Sequence, residues 1–329
     1  MRKRREVTLF LTEKDVASLL SMEIAIKALE QGFIDQSNKN AWNSPRRRIN
    51  FGNGTFHFMA AVNKHIGVMG MKTYSTFNSA KPKFYTHLLD STNGHLLAIL
   101  EANRLGQIRT GAASGIATKY MSNPDASTVG IIGTGYQAET QLEAITKVRS
   151  INKVKVYSRN PLLRKNFSVK MSKKLNLDVE DVTSPEECIE NMSILVTITS
   201  AKTPVLKGQW ITDSTHINAA GGNHWLRREI DTETVKLADL LVTDDVAQAK
   251  IECADLIYPI ENGALDWQRV NELWEIVSGS VPARKKKFDV TLFESQGIAL
   301  QDIATSFIVY SLAKTHGFGN EFSFEDQSG

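Results

Sequence analysis

The spacing of hydrophobic positions changes character along this chain. Between residues 13 and 36, Ile24, Ala28, Leu29 and Phe33 recur at helical spacing. Thr12 followed by Asp15 has the form of an N-cap with an acidic residue at the third helical position, so one or two helices with a buried face are predicted. From Ile49 the texture shortens, and Phe56, Phe58, Ile66, Val68, Tyr85 and Leu97 fall in short segments broken by glycine and asparagine. These predict strands, with hairpin turns at Asn53-Gly54 and Asn93-Gly94. Helices leading into an antiparallel sheet make an α+β layer. A small-residue helix is predicted over residues 112–120.

Beyond it the texture changes again. Residues 129–132 are an apolar run of strand length, Gly133-Thr134-Gly135 follows at once, and a helical pattern begins near Gln137 with Leu142, Ile145 and Val148 on one face. Strand, glycine turn and helix are the context that a dinucleotide fingerprint demands, because glycine lets the backbone approach a pyrophosphate and the helix N-terminus favours the anion. Ala138 takes the place of the third glycine. Residues 153–159 read as the second strand of the same unit, ending about 25 residues past Gly133. An NAD(H) site places an acidic residue at that end; here stand Ser158, Arg159 and Asn160, a hydroxyl and a guanidinium suited to a 2′-phosphate. NADP(H) is therefore expected in preference to NAD(H), stacking on the adenine being the other use of Arg159. Apolar runs at 194–199, 216–220 and 240–243 alternate with helical segments, as repeated βα units do.

The predicted class is α/β: a Rossmann-type doubly wound parallel sheet over 119–297, and an α+β domain from 1–118 with 298–329. The latter includes an apolar-periodic helix at 299–314, with Ile303, Phe307, Ile308 and Leu312, packing back on the N-terminal part. Residues 323–329 are polar and expected to be disordered.

Composition mainly excludes. Of 329 residues, 42% are hydrophobic and 23% charged, which rules out a disordered, collagen-like or disulfide-stapled chain. The net charge of +3 gives no ground for a nucleic-acid or membrane partner. Cys188 and Cys253 form no CxxC pair, offer no metal framework and suit a reducing compartment. No apolar run reaches the roughly 18 residues of a transmembrane helix. The basic start, Met1 to Arg5, lacks the apolar stretch of a signal peptide after it. A cytoplasmic, soluble protein is expected.

Three basic segments carry candidate chemistry. Arg46, Arg47 and Arg48 follow Pro45 in what reads as a loop, and a solvated surface run fits Arg47 and Arg48 as well as a site does. Lys72 lies in a strand pattern, and Arg109 just before the predicted helix at 112–120. Lys72 and Arg109 have small or apolar neighbours, where a cation without a counterion is costly. Each needs an anion, from a ligand or from the protein; for Lys72 a carboxylate such as Glu101 or Asp90 is the structural alternative.

These segments resemble the ornithine cyclodeaminase/mu-crystallin family, which includes an archaeal type of alanine dehydrogenase. The resemblance runs along nearly the whole chain: Ser44-Pro45-Arg46, the Lys72 strand, Arg109-Thr110-Gly111-Ala112-Ala113, the Ile132–Gln137 turn, Asn218-Ala219-Ala220-Gly221, and Phe293 through Asp302. It implies a homodimer whose N-terminal domain carries both substrate site and interface, and a nicotinamide cofactor on the second domain. Arg46, Lys72 and Arg109 then look like the cations around a substrate carboxylate. Tyr136 and Gln137 look like diphosphate contacts at the Gly133–Gly135 turn, beside the Ser158 and Arg159 already read as 2′-phosphate contacts. Thr199, Asn218, Ala220, Gly221 and Ser295 look like contacts to the ribose and nicotinamide.

The chain departs from the family after Gly221-Gly222. Family members resembling it there carry aspartate at the next position, where this chain has Asn223, followed by His224 and Trp225. Where a family enzyme carries glutamate facing the substrate's far amine, this chain has His57. Asparagine does not titrate near neutral pH, so the acidic groups that select a diamino acid are missing and ornithine cyclodeamination is disfavoured. Catalytic candidates are Lys72, Arg109, His57 and Asn223, with His224 beside the substrate. His57 and His224 suit proton transfer near neutral pH and equally suit hydrogen-bonded structural roles; His87 reads as structural, and Trp225 as pocket wall or surface. The expected activity is an NAD(P)H-dependent oxidoreductase acting on the C–N bond of a small amino or imino acid with an α-carboxylate. The alternative is a non-catalytic protein of mu-crystallin type that holds NADPH and a small ligand. No metal is expected.

Overall fold

The computed structural model describes residues 7–77 and 80–323. The expectations for Met1 to Arg5 and for residues 324–329 lie outside them. The chain divides into two compact units, Met1–Arg109 with Ile298–Gly329 and Thr110–Gly297; the helix Asn103–Met121 carries the chain from the first to the second.

The first unit is built on a seven-stranded sheet. Its order is Asn320–Phe322, Thr8–Leu11, Leu96–Glu101, Lys83–Asp90, Val68–Phe77, Gly54–Asn63 and Ala41–Phe51. The last five form an antiparallel meander, as the alternating pattern predicts. The short strand Thr8–Leu11 makes the sheet mixed, because it runs parallel to Leu96–Glu101. The helical stretch after Thr12 is two helices, Glu13–Leu19 and Met22–Ser37, and Thr12 and Asp15 close the expected capping box. The first hairpin turns at Gly52-Asn53, one residue earlier than predicted, with Gly52 at φ +43°.

Two corrections concern basic residues. Arg46, Arg47 and Arg48 lie in the strand Ala41–Phe51, not in a loop. Pro45 sits where the register shifts between Ser44 and Arg47, on an edge strand, so the ladder tolerates its missing N–H. Arg109 lies inside the helix Asn103–Met121, which starts well before residue 112.

The helix Ala299–His316 lies across one face of this sheet, as expected for the returning segment. Gly70 makes the approach possible: a Cβ there would stand 2.2 Å from the His87 carbonyl oxygen and 2.7 Å from the Ile303 Cδ1. Strand pairing puts Met59, Lys72 and Thr86 side by side on this inner face. The opposite face carries Trp42, Ile49, Phe51, Met71 and Phe77, all exposed.

The second unit is an eight-stranded parallel sheet. Its order is Val270–Glu272, Leu240–Thr243, Thr291–Glu294, His216–Ala219, Ile194–Thr197, Thr128–Ile132, Lys153–Tyr157 and Val179–Asp181. Alternate residues feed two apolar clusters. Val129, Ile131, Val154 and Val156 pack with Leu142, Ile145 and Phe167, while Ile132, Leu195, Ile217 and Leu241 pack into the other. A sheet buried on both faces explains why its strands read as continuous apolar runs. The strand order reverses at Thr128–Ile132, the switch point where open α/β sheets bind ligands.

Candidate functional site

In the first unit, three cations from three elements enter the inner face. Arg46, Lys72 and Arg109 come from the edge strand, the Val68–Phe77 strand and the long helix, and all are buried. Two share one carboxylate: Lys72 Nζ and Arg109 Nε both donate to Asp302 Oδ1, at 2.8 and 2.9 Å. Arg109 Nη1 also donates to Gln301 Oε1 at 3.1 Å. Burial draws the Lys72 ammonium down from 10.5 to about 8; Asp302 pulls against this, and Arg109 and Arg46 push with it. Burial works against the Asp302 carboxylate too, but Arg109 and Lys72 outweigh it and hold the group below its ordinary value. Gly106 leaves room for the ammonium, since a Cβ there would come within 3.1 Å of Nζ.

The counterion of Lys72 is thus neither Glu101 nor Asp90. The pleat puts Glu101, opposite Tyr85, on the other face, where it accepts from the Glu13 N–H. Asp90 accepts from Thr92. Asp302 lies within the segment that carries the resemblance, yet its role was missed because its two partners lie about two hundred residues earlier.

Next to this cluster runs an aromatic row. His57 stacks on Tyr74, with centroids 4.2 Å apart and planes 2° from parallel. Tyr74 lies 4.8 Å from Phe84, and Lys72 Nζ stands 5.3 Å from the Phe84 centroid. His57 is buried, its Nε2 3.0 Å from Thr76 Oγ1. Strand pairing places Arg48 opposite His57 on the same face. His87 is on the other face, opposite Met71.

In the second unit the glycine turn takes the expected form. Gly133 has φ +114°, and a Cβ there would stand 2.3 Å from the Ile198 carbonyl oxygen, so only glycine fits. Gly135 caps the helix Tyr136–Val148 without a side-chain bond, and nothing lies within 4 Å of where its Cβ would be. Open backbone and a helix N-terminus with no side-chain cap fit an anionic diphosphate. Tyr136 and Gln137 open that helix. Thr134 Oγ1 donates to Ser158 Oγ at 2.8 Å, tying the turn to the end of the next strand, where Arg159 is exposed.

The remaining candidates of this unit separate. Thr199 and Gly221 lie just past the strands Ile194–Thr197 and His216–Ala219, and both bond to a residue the sequence reading passed over, Glu229. Ala220 is buried and donates its N–H to the Thr197 carbonyl. Asn218 is fully buried and gives its amide to Thr118 Oγ1 at 3.0 Å. Ser295 is buried with its hydroxyl on Asp244 Oδ2 at 3.3 Å. Asn223 and His224 follow in an irregular segment, where His224 Nδ1 accepts from the Leu226 N–H. Trp225 is exposed and stacks on His224.

Residues 6–317 match the model of the ornithine cyclodeaminase/mu-crystallin family. A Δ1-pyrroline-2-carboxylate reductase of Thermococcus litoralis, solved with NADH and L-proline, superposes with a TM-score of 0.91 at 36% identity, covering 95% of this chain and 99% of that one. An archaeal alanine dehydrogenase, solved as a dimer with bound NAD, gives a TM-score of 0.91 at 31% identity, covering 97% and 100%. The ketimine reductase mu-crystallin of Rattus norvegicus is 34% identical over 268 residues, 76% of this chain and 82% of that protein.

Proposed function

The chain belongs to the ornithine cyclodeaminase/mu-crystallin family, and from that premise we propose that it is a nicotinamide-dependent oxidoreductase reducing the C=N bond of a small imino acid, or oxidising the amino acid in reverse. The observation that carries the reading is that buried Lys72 and Arg109 share one oxygen of the Asp302 carboxylate, with buried Arg46 near enough to act on Lys72. Two cations divide one acid oxygen, and a third lies close enough to depress Lys72. Such a cluster retains positive potential, which a substrate α-carboxylate would neutralise.

The glycine turn and the helix at Tyr136 fit a dinucleotide diphosphate, with Gly133, Gly135, Tyr136 and Gln137 as its holders. When bound, the nicotinamide supplies the hydride for reduction or accepts it for oxidation. The chain's own groups do the rest. Arg46, Lys72 and Arg109 bind and orient the carboxylate, and orientation of the reacting carbon supplies much of the rate. Lys72, lowered to about 8, holds a proton at neutral pH that is more easily released than that of an ordinary lysine. His57 in the first unit and His224 in the second are the other candidate proton carriers, and Asn223, next to His224 in the chain, offers a neutral hydrogen-bonding group. The Thr199 and Ala220-Gly221 strand ends would hold the ribose and nicotinamide; Asn218 and Ser295, whose side chains are already engaged, would act there through their backbone.

NADPH is proposed over NADH. No acidic residue ends the strand Lys153–Tyr157, and Ser158 and the exposed Arg159 stand there instead. We also propose a homodimer formed through the outer face of the first unit. Trp42, Ile49, Phe51, Met71 and Phe77 make that face apolar and exposed, of the kind that marks interfaces, and the archaeal alanine dehydrogenase relative is a dimer. Among the described residues no helix is long and apolar enough to cross a membrane. Two buried free thiols, Cys188 and Cys253, suit a cytoplasmic setting.

The test is NADPH oxidation, followed at 340 nm, with cyclic imino acids such as piperideine-2-carboxylate and with 2-oxoacids plus amines. Turnover with an α-carboxylate substrate and none with its amide supports the reading. Ligand-dependent gain in melting temperature without oxidation supports instead a non-catalytic NADPH- and ligand-binding protein.

A further inference from the structure

The two strand ends assigned above to the nicotinamide half are joined by one buried side chain. Glu229 lies in an irregular segment after Trp225 and is fully buried. Its Oε1 accepts from the Thr199 N–H at 2.5 Å; its Oε2 accepts from the Gly221 N–H at 2.6 Å and from Thr197 Oγ1 at 3.1 Å. Thr199 and Gly221 follow neighbouring strands of the parallel sheet, beyond the last residues paired by the ladder. Their amides are part-buried and would otherwise be donors without a sheet partner, which is costly.

The fit is close on every side. A Cβ at Gly221 would stand 2.3 Å from the Thr199 carbonyl oxygen and 2.7 Å from Glu229 Oε2. Glu229 is itself held by its backbone: its N–H donates to Asp255 Oδ1 at 2.9 Å, and its carbonyl accepts from the N–H groups of Val205 and Leu206 at 2.8 and 3.0 Å. Burial raises the Glu229 carboxyl, and the donors at Thr199, Gly221 and Thr197 pull it back. A buried acid with these particular donors is replaceable by nothing of similar size. Glutamine has one acceptor oxygen, so its NH₂ would face either the Thr199 or the Gly221 N–H, donor against donor.

We propose that Glu229 is a positioning residue for the nicotinamide half of the cofactor, its carboxylate fixing the spacing of the Thr199 and Gly221 backbones against which the ribose and nicotinamide lie. The inference rests on the dinucleotide reading given above. It separates the two halves of the ligand. The adenine half would be held at the Gly133–Gln137 turn and at Ser158 and Arg159, none of which bonds to Glu229, so loss of the clamp weakens only the other half.

The test compares the parent with Glu229→Gln by titrating NADPH and, separately, adenosine 2′,5′-bisphosphate, which carries the adenine half alone. The expected result is an NADPH dissociation constant raised about tenfold or more, the effect of roughly one strong hydrogen bond, with that of the bisphosphate within threefold of the parent. Thr197→Val, which removes one donor and leaves the carboxylate, should show the same split at smaller size, and it provides the reading if the glutamine variant does not fold. Equal loss for both compounds would make Glu229 a general structural residue and overturn the proposal, as would no change for either. A parent protein that binds neither compound overturns the dinucleotide reading itself.

Discussion

Lys72→Met should cost activity without costing stability. Lys72 is buried, and its pKa falls from 10.5 to about 8. A difference of about 2.5 units corresponds to about 3 kcal/mol, at 1.36 kcal/mol per unit. The sign follows from linkage. The folded-state value lies below the unfolded one, so between them the unfolded chain binds more protons, and stability rises as pH climbs from about 8 to 10.5. At pH 7 the full penalty is in force. Methionine fills a similar volume without charge, and Asp302 keeps Arg109 as counterion at 2.9 Å, so no lone buried charge is left behind. That penalty is already net of the Lys72–Asp302 attraction, which pulls against burial. The variant should therefore melt at pH 7 no lower than the parent, and up to about 6 °C higher at the roughly 2 °C per kcal/mol of a chain this size. The parent's gain in melting temperature between pH 7 and pH 10 should be diminished or absent in the variant. In the reductase assay kcat/KM should fall by about 10- to 100-fold, the worth of one charged hydrogen bond. A variant that melts several degrees below the parent at pH 7 while kcat/KM stays within a few-fold would refute the reasoning. Lys72 would then be a structural cation, and the main support for an α-carboxylate substrate would go with it.

Asp302→Asn leaves two buried cations without their shared anion; calorimetry at pH 7 should show a loss of about 3–5 kcal/mol, and a melting temperature within a degree or two of the parent would contradict this. Arg159→Ala should weaken NADPH about tenfold or more while leaving NADH nearly unchanged, as expected for a lost charged contact to the 2′-phosphate; equal affinity of the parent for the two cofactors counts against the preference. Ornithine should yield no proline, because Asn223 and His57 stand where acids would be needed; proline and ammonia released at more than about 1 s⁻¹, an ordinary enzyme rate, would overturn that expectation. Met71→Glu puts a charge on the exposed outer face and should convert a dimer to monomers by light scattering, with secondary structure unchanged; an unshifted mass moves the interface elsewhere.

What the sequence made legible was local. The glycine turn, the strand before it and the helix after it depend on residues within a dozen positions, and a backbone at φ +114° leaves glycine no substitute. Lys72 was placed in a strand correctly because a period of two survives in its neighbours. Arg46 reads as a loop residue because Pro45 hides an edge strand, and the bulge that accommodates the proline leaves no mark in composition. Nearby segments offer Glu101 and Asp90 as counterions of Lys72, but pleating turns Glu101 to the other face, and the acid that serves lies 230 residues on. Glu229 was invisible for a similar reason. A glutamate in an irregular, charged segment looks solvated until the fold shows both its oxygens taken up by backbone donors.

The position of Asp302 near the end of the chain has a consequence for synthesis. The first unit closes only when Ile298–Gly329 has been made, so during translation the uninterrupted unit, Thr110–Gly297, is complete first. Until then the nascent sheet lacks the helix that covers its inner face, and Lys72 and Arg109 lack their anion. Premature collapse of that sheet is opposed by the same two charges that Asp302 later neutralises, since burying them alone is unfavourable. Emergence in chain order would thus leave the inner face of the N-terminal sheet uncovered until the helix Ala299–His316 follows it.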